Sequence, residues 1–350
     1  MKVWAESGRK TVVRVRRVAA CLAVVGLMTA VAGGETCTTQ SAMNATNRDA
    51  LAAAVRGLAE KVIANDAAGL RSVTIAQYAN NFGAIQNLVA GISDKVKGAS
   101  PVVEQLYLLD ASDLKKNPDG SAGTAQFFCT LNKSSAEADF SIPGLPQGTY
   151  AFGMAEAQGI AAPWRLSFLL QQVDGKWQMA GFYPRALTAA GHDGLWYWTE
   201  ARTLAKNKQL WSAWLYYQQA SSLLNPADMI QSTHLEKLHN EQTAATPPTI
   251  SSGVSADAPL VVKGADGAEY HFTGLSVDDS LAKEKIDVTA RLKVDQIGDP
   301  AAARKRNVDA MSALVSAYPD LRKNFHGVWI FAEVPGQSPY ATELGMNEIH

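Results

Sequence analysis

The chain has 350 residues, of which 47% are hydrophobic, 19% charged and 8% aromatic, and its formal net charge is −1. That balance excludes wholesale disorder and collagen-like repeats. The length suits two or three domains whose cores need no metal to hold them, and the near-zero charge excludes a bulk polycation for nucleic acid.

The N-terminus reads as an address. Lys2, Arg9, Lys10, Arg14, Arg16 and Arg17 stand against one acid, Glu6, and residues 18–32 (VAACLAVVGLMTAVA) follow as an apolar run ending in Ala30-Val31-Ala32. A basic region, a short apolar region and an A-x-A site predict a secretory signal peptide cleaved after Ala32. The run of 15 residues is short of the about 20 that a membrane span needs. An uncleaved N-terminal anchor is the alternative. Cleavage takes six of the 32 basic residues and one of the 33 acidic ones, leaving 26 and 32 and a net charge of −6. A mildly acidic mature chain argues against nucleic acid or an anionic membrane as partner. The expected location is the periplasm or the exterior, with no integral membrane segment after cleavage.

Of the three cysteines, Cys37 and Cys129 remain in the mature chain. An even pair in an exported protein predicts a disulfide between them, the alternative being two unpaired thiols with Cys129 buried in a strand. There is no C-x-x-C pair to suggest redox catalysis.

Residues 33–47 are small and polar and read as a linker. A helix follows from near Asn47, with Leu51, Val55, Leu58 and Val62 on one face, and more helix is expected over residues 75–96. The pattern then turns to strands at residues 102–110, 124–131, 138–142, 149–158, 164–173 and 177–183, with Asp174-Gly175 as a hairpin turn. Helices followed by a curved antiparallel sheet predict an α+β domain over residues 48–186.

The order of these elements and the terminal hairpin WRLSFLLQQVDGKWQMAGFYPRA resemble the NTF2-like superfamily of cone-shaped α+β barrels. That resemblance implies a conical pocket between helices and sheet, where some members bind apolar molecules and some do acid–base chemistry. A carboxylate in such a pocket has its pKa raised by desolvation, as a base working near neutral pH requires. Asp110 and Asp139 are the candidates for that role. Asp110 lies in LLDASD, where an Asp also serves to cap a turn. No family catalytic motif is matched, so none is carried over.

Residues 187–242 read as a helical hairpin and a further helix. Ala201, Leu204, Ala213, Tyr217 and Ala220, with the break at Asn225-Pro226, resemble the packing positions of a tetratricopeptide unit, the Pro standing one residue out of place. One such unit does not stand alone, so the hairpin is expected to pack on a neighbour. His192-Asp193 opens it, and Asp193 is placed to cap the helix that begins at Gly194. Trp196, Trp198, Trp211 and Trp214 lie among several tyrosines on both faces, more than one buried stripe requires. They are packed between domains or form a partner-binding face.

Residues 243–257 (TAATPPTISSGVSAD) read as an extended linker and the clearest domain boundary. A second, small α+β unit is expected over residues 258–350, with five strands and one long helix over residues 300–318. The chain carries no H-E-x-x-H, Walker A, G-x-G-x-x-G or G-x-S-x-G, so zinc, nucleotide and cofactor sites have no support. Arg304-Lys305-Arg306 reads as a solvated helix face. As a whole the chain resembles exported bacterial proteins. Two functions follow as expectations: a binding or scaffold protein that meets a protein or envelope polymer through its tryptophans, or a small-molecule binder or acid–base enzyme that uses the conical pocket.

Overall fold

The computed structural model describes residues 35–131, 136–265, 267–279 and 284–350. The expected leader lies outside the described residues. The fold is mixed α and β.

Strand β1 (Thr36–Thr39) lies where the sequence suggested a linker, pairing antiparallel with β2 (Ser100–Asp110). The small polar residues there are held by strand pairing, and Cys37 is tied to Cys129 with Cα atoms 5.3 Å apart. Helix α1 (Ala45–Ile63) begins earlier than expected because Asn44, not Asn47, is the cap: its side chain accepts from the Asn47 N–H at 2.8 Å. Helices α2 (Ala67–Ser72), α3 (Ala76–Ala79) and α4 (Gly83–Val96) follow as separate pieces.

The expected single curved sheet is two sheets. One has the order β1-β2-β5-β6-β7, with β5 (Thr149–Gln158), β6 (Trp164–Val173) and β7 (Lys176–Ala186) antiparallel in turn. Strands β3 (Ala125–Thr130) and β4 (Glu137–Ile142) form a hairpin inserted between β2 and β5, whose ends meet directly at Asp110 and Thr149. Ala111 and Gly148 exchange backbone hydrogen bonds at 2.9 and 3.3 Å and close the base of the insertion. The hairpin joins a three-stranded sheet, β10-β4-β3, with the later strand β10 (Ile230–Ser232).

Strand alternation gives the larger sheet two apolar faces. Leu106, Ala151, Leu166 and Phe168 pack under α1 and α4 with Leu51, Val55 and Val89. Gly153 is required there, because a Cβ would stand 2.3 Å from Val55 Cγ2. The opposite face carries Tyr107, Leu109 and Phe152 against the small sheet, through an edge-to-face chain Tyr107–Phe140–Phe152. Asp174 and Gly175 both have positive φ, as a two-residue turn between β6 and β7 requires.

A short hairpin, β8 (Thr188–Ala189) and β9 (His192–Asp193), leads into α5 (Gly194–Lys206) and α6 (Leu210–Leu224). Helix α7 (Thr233–Ala245) starts after β10, capped by Ser232. The C-terminal sheet has the order β11-β12-β13-β14-β15 over Leu260–Lys263, Glu269–Asp278, Asp287–Lys293, Gly327–Glu333 and Tyr340–Gly345. Its pairs are antiparallel except β13–β14, which are parallel and joined through α8 (Pro300–Ala317) and the short α9 (Leu321–Asn324). A parallel pair needs such a crossover.

Residues 243–257 are not an open linker along their length. Ala245, Pro247 and Ile250 are buried. Ala245 and Ile250 belong to the same apolar core as α5, α6 and the C-terminal sheet. Their small and branched side chains give the segment something to bury, which the count of Pro, Ser and Thr conceals. The helical hairpin and the C-terminal unit therefore share one core.

The disulfide closes a loop with a sequence separation of 92 between β1 and β3. Chain-entropy arguments give about 4–5 kcal/mol for a loop of that length. The double variant Cys37→Ala/Cys129→Ala is expected to lose stability of that order in urea unfolding, and reduction of the wild type is expected to reproduce it.

Candidate functional site

The two carboxylates singled out from sequence do not line a conical pocket. The space between α1–α4 and the large sheet is filled by the side chains named above. Asp110 is exposed at the end of β2, and its Oδ1 accepts from the backbone N–H and hydroxyl of Ser112 at 3.0 and 2.6 Å. It caps a turn. Asp139 is half-buried on the outer face of the small sheet, in a hollow of about 410 Å³ beside Glu236 and His239 of α7. Desolvation raises its pKa, and the charges of Glu137 and Glu236 push the same way. Its Oδ1 is buried without a hydrogen-bond partner.

The tryptophans separate into two groups. Trp198, Trp211 and Trp214 are buried. Trp198 Nε1 donates to Glu241 of α7 at 2.7 Å, and Arg202, forked onto the same carboxylate at 2.6 and 2.9 Å, lies 4.5 Å above the Trp198 ring. Trp211 packs on Tyr318 with centroids 4.0 Å apart, and Trp214 meets Trp211 edge-on. These three are packing residues. Trp196 remains 36% exposed.

Trp196 stands at a cleft of about 280 Å³ between α5–α6 and the start of β13. The local backbone builds its wall. Asp193 caps α5, accepting from the Trp196 N–H at 2.8 Å as the sequence suggested. The β8–β9 turn places Ala190 and Gly191 at φ 48° and 79°. A non-glycine residue there is strained, and Ala190 is held by its N–H on Asp279 at 2.8 Å. That turn sends His192 back over Trp196, ring to ring at 3.7 Å. Tyr197 and Tyr216 complete the aromatic side, 5.0 and 6.2 Å from Trp196. Their hydroxyls are engaged with Ala189 O at 2.9 Å and Asn324 O at 3.3 Å. Burial, and then neighbouring charge, raises both phenols, Tyr216 to about 12.

The far side of the cleft is polar, with Lys285, Lys323 and His326. His326 Nδ1 lies 3.1 Å from Oδ1 of Asp287, which is fully buried. Burial raises the Asp287 carboxyl, while His326 and the Gly327 N–H act in the opposite direction. Gly327 is needed for this approach, since a Cβ would stand 2.9 Å from Asp287 Oδ1 and 2.7 Å from Leu344 O. Sequence reading missed the pair. The residues are 39 apart, and Asp287 occupies the polar side of an alternating strand, where exposure is the ordinary expectation. Gly327 directly after His326 was the available clue. Among the described residues no group of three His, Cys, Asp or Glu side chains is placed to hold a metal.

The chain matches no protein-family model, no curated protein and no solved structure.

The raised Asp139 carboxyl has a definite pH signature. A folded-state pKa above the unfolded value means the folded protein gains stability as pH falls through it and loses stability as pH rises. Asp139→Asn is therefore expected to raise the melting temperature near pH 7, with the gain shrinking toward pH 4 as the wild-type carboxyl protonates. Thermal melts of both proteins across that range check this, and a gain independent of pH would contradict it.

Proposed function

We propose that this chain is an exported binding protein, built from an NTF2-like domain, a tetratricopeptide-like helix pair and a C-terminal α+β unit, which holds a protein or envelope polymer at the cleft beside Trp196. The exposed Trp196, stacked on His192 and backed by Tyr197 and Tyr216, carries this reading. An accessible indole next to lysines offers apolar area and polar handles together. The Cys37–Cys129 disulfide suits an oxidising compartment. No described helix is long and apolar enough to cross a membrane. The burial of Trp198, Trp211 and Trp214 narrows the binding face to this one cleft.

The His326–Asp287 pair favours a second reading, acid–base chemistry at the same cleft. An ionised Asp287, 3.1 Å away, would hold the imidazole with Nδ1 as donor and leave Nε2 to act on a ligand. The expected NMR signature is a His326 Nδ1–H resonance protected from exchange and lost in Asp287→Asn.

The binding reading is tested by sedimentation of the disulfide-bonded chain with cell-envelope material of its host. Trp196→Ala is expected to lower the bound fraction about tenfold, the effect of a central aromatic anchor, with a melting temperature within about 2 °C of wild type. Undiminished co-sedimentation of the variant would contradict the proposal.

A further inference from the structure

A further cavity, of about 310 Å³, lies on the face of the large sheet turned away from α1 and α4, between α3 and the loop that follows β4. That volume is at the small end of the range for small-molecule sites, about 300–1,000 Å³. Its floor is apolar, with Ile142, Leu169, Ala180 and Met229. Its polar groups are Gln77, Tyr78, Gln171 and Tyr183.

The site is built rather than incidental. Strand β7 carries a bulge at Ala180, where the register with β6 shifts between Leu169 and Leu170, and bulges re-aim side chains beside functional sites. The adjoining Gly181 makes room for Tyr183: a Cβ would stand 2.7 Å from the Tyr183 hydroxyl. Tyr150, at the back, donates to Pro146 O at 3.0 Å and so fixes the Pro143–Pro146 wall. Tyr78 lines the same cavity as both other phenols. Burial first, and then Tyr78, raises the pKa of Tyr150 and of Tyr183.

The charge pattern selects the ligand. No Lys, Arg or His lines the cavity, so an anion finds no counter-charge. Its one acid, Asp228, is 92% exposed and paired with Arg185 at 3.0 Å, so a cation finds no buried carboxylate. What remains is an apolar floor facing a ring of phenol and carboxamide groups. Gln77, Tyr78, Gln171 and Tyr183 carry hydroxyl and carboxamide groups that can both donate and accept hydrogen bonds. A ring with a C–H face and equatorial hydroxyls meets those groups and covers that floor. We propose that this cavity binds a single neutral pyranose ring, either a free monosaccharide or the end unit of a glycan.

Saturation-transfer NMR and calorimetry on the full disulfide-bonded chain test this with methyl α-D-glucopyranoside, methyl α-D-galactopyranoside, methyl α-D-mannopyranoside and maltotriose, and with choline as a cationic probe. At least one of the four sugars is expected to bind. Tyr183→Phe and Gln171→Ala are each expected to weaken it about tenfold, as loss of one hydrogen-bonding group does. Tighter binding of maltotriose supports a glycan end as the source, and equal binding supports a free monosaccharide. The proposal is overturned if no sugar binds, if sugar binding survives both variants undiminished, or if choline binds instead and is lost in Asp228→Asn. Thermal melts of each variant confirm that it is folded.

Discussion

The first two turns of helix α6 have no solvent face, and the rest of the molecule depends on that. Trp211, Ser212, Ala213, Trp214, Leu215, Tyr216 and Tyr217 are buried in unbroken succession, and a helix apolar all round must be enclosed on every side. One side receives α5, another α7 and a third the C-terminal unit. Polar seams fix its seating. The Ser212 N–H and hydroxyl both bond Asp320, Asn324 donates to Gln209 and Ser212, and the Tyr216 hydroxyl reaches Asn324 O. At its other end, Leu224 lies where a Cβ on Gly194 would stand 2.5 Å from Leu224 Cγ, so α5 can begin only with glycine. Near the same end the Leu223 carbonyl accepts from Arg165 of the large sheet at 3.5 Å.

The cleft beside Trp196 is a consequence of this enclosure. The first turn of α5 stands across the cleft from the segment that leads into β13, and the strained Ala190 turn folds His192 over Trp196, the most exposed of the four tryptophans of α5 and α6. The cost of that backbone, of order 1–3 kcal/mol, is offset by the Asp279 bond and the His192–Trp196 stack. Aromatic burial thus explains both why three tryptophans pack and why the fourth is presented. The large sheet shows the same economy of faces. Both of its sides are covered, one by helices and one by the inserted hairpin, so its remaining space is the small cavity at the edge between those coverings.

Local patterning was legible. The strands from residue 100 to 186, the Asp174-Gly175 turn, the Asp193 cap and the pairing of Cys37 with Cys129 all follow from alternation, turn chemistry and cysteine count. Tertiary choices were not. Nothing in residues 125–142 distinguishes a hairpin continuing a sheet from one leaving it, because both alternate with the same period. Residues 243–257 have linker composition, yet Ala245 and Ile250 are buried, and burial of isolated small residues leaves no periodic trace. The tryptophan cluster was visible as a whole, but which member faces solvent depends on partners such as Tyr318 and Glu241, distant in the chain. Asp287 reads as a surface residue until His326 and Gly327 are brought against it by the parallel β13–β14 pairing.

Helices α5 and α6 and the C-terminal sheet share one apolar core, and the cleft is its by-product. Such a core unfolds as one cooperative unit, which amide hydrogen exchange of the disulfide-bonded chain under rising denaturant, read by mass spectrometry, can check. Peptides from α6 and from β13 and β14 are expected to lose protection together, at the same denaturant concentration. Earlier loss of protection in α6, with the C-terminal sheet still closed, would contradict it.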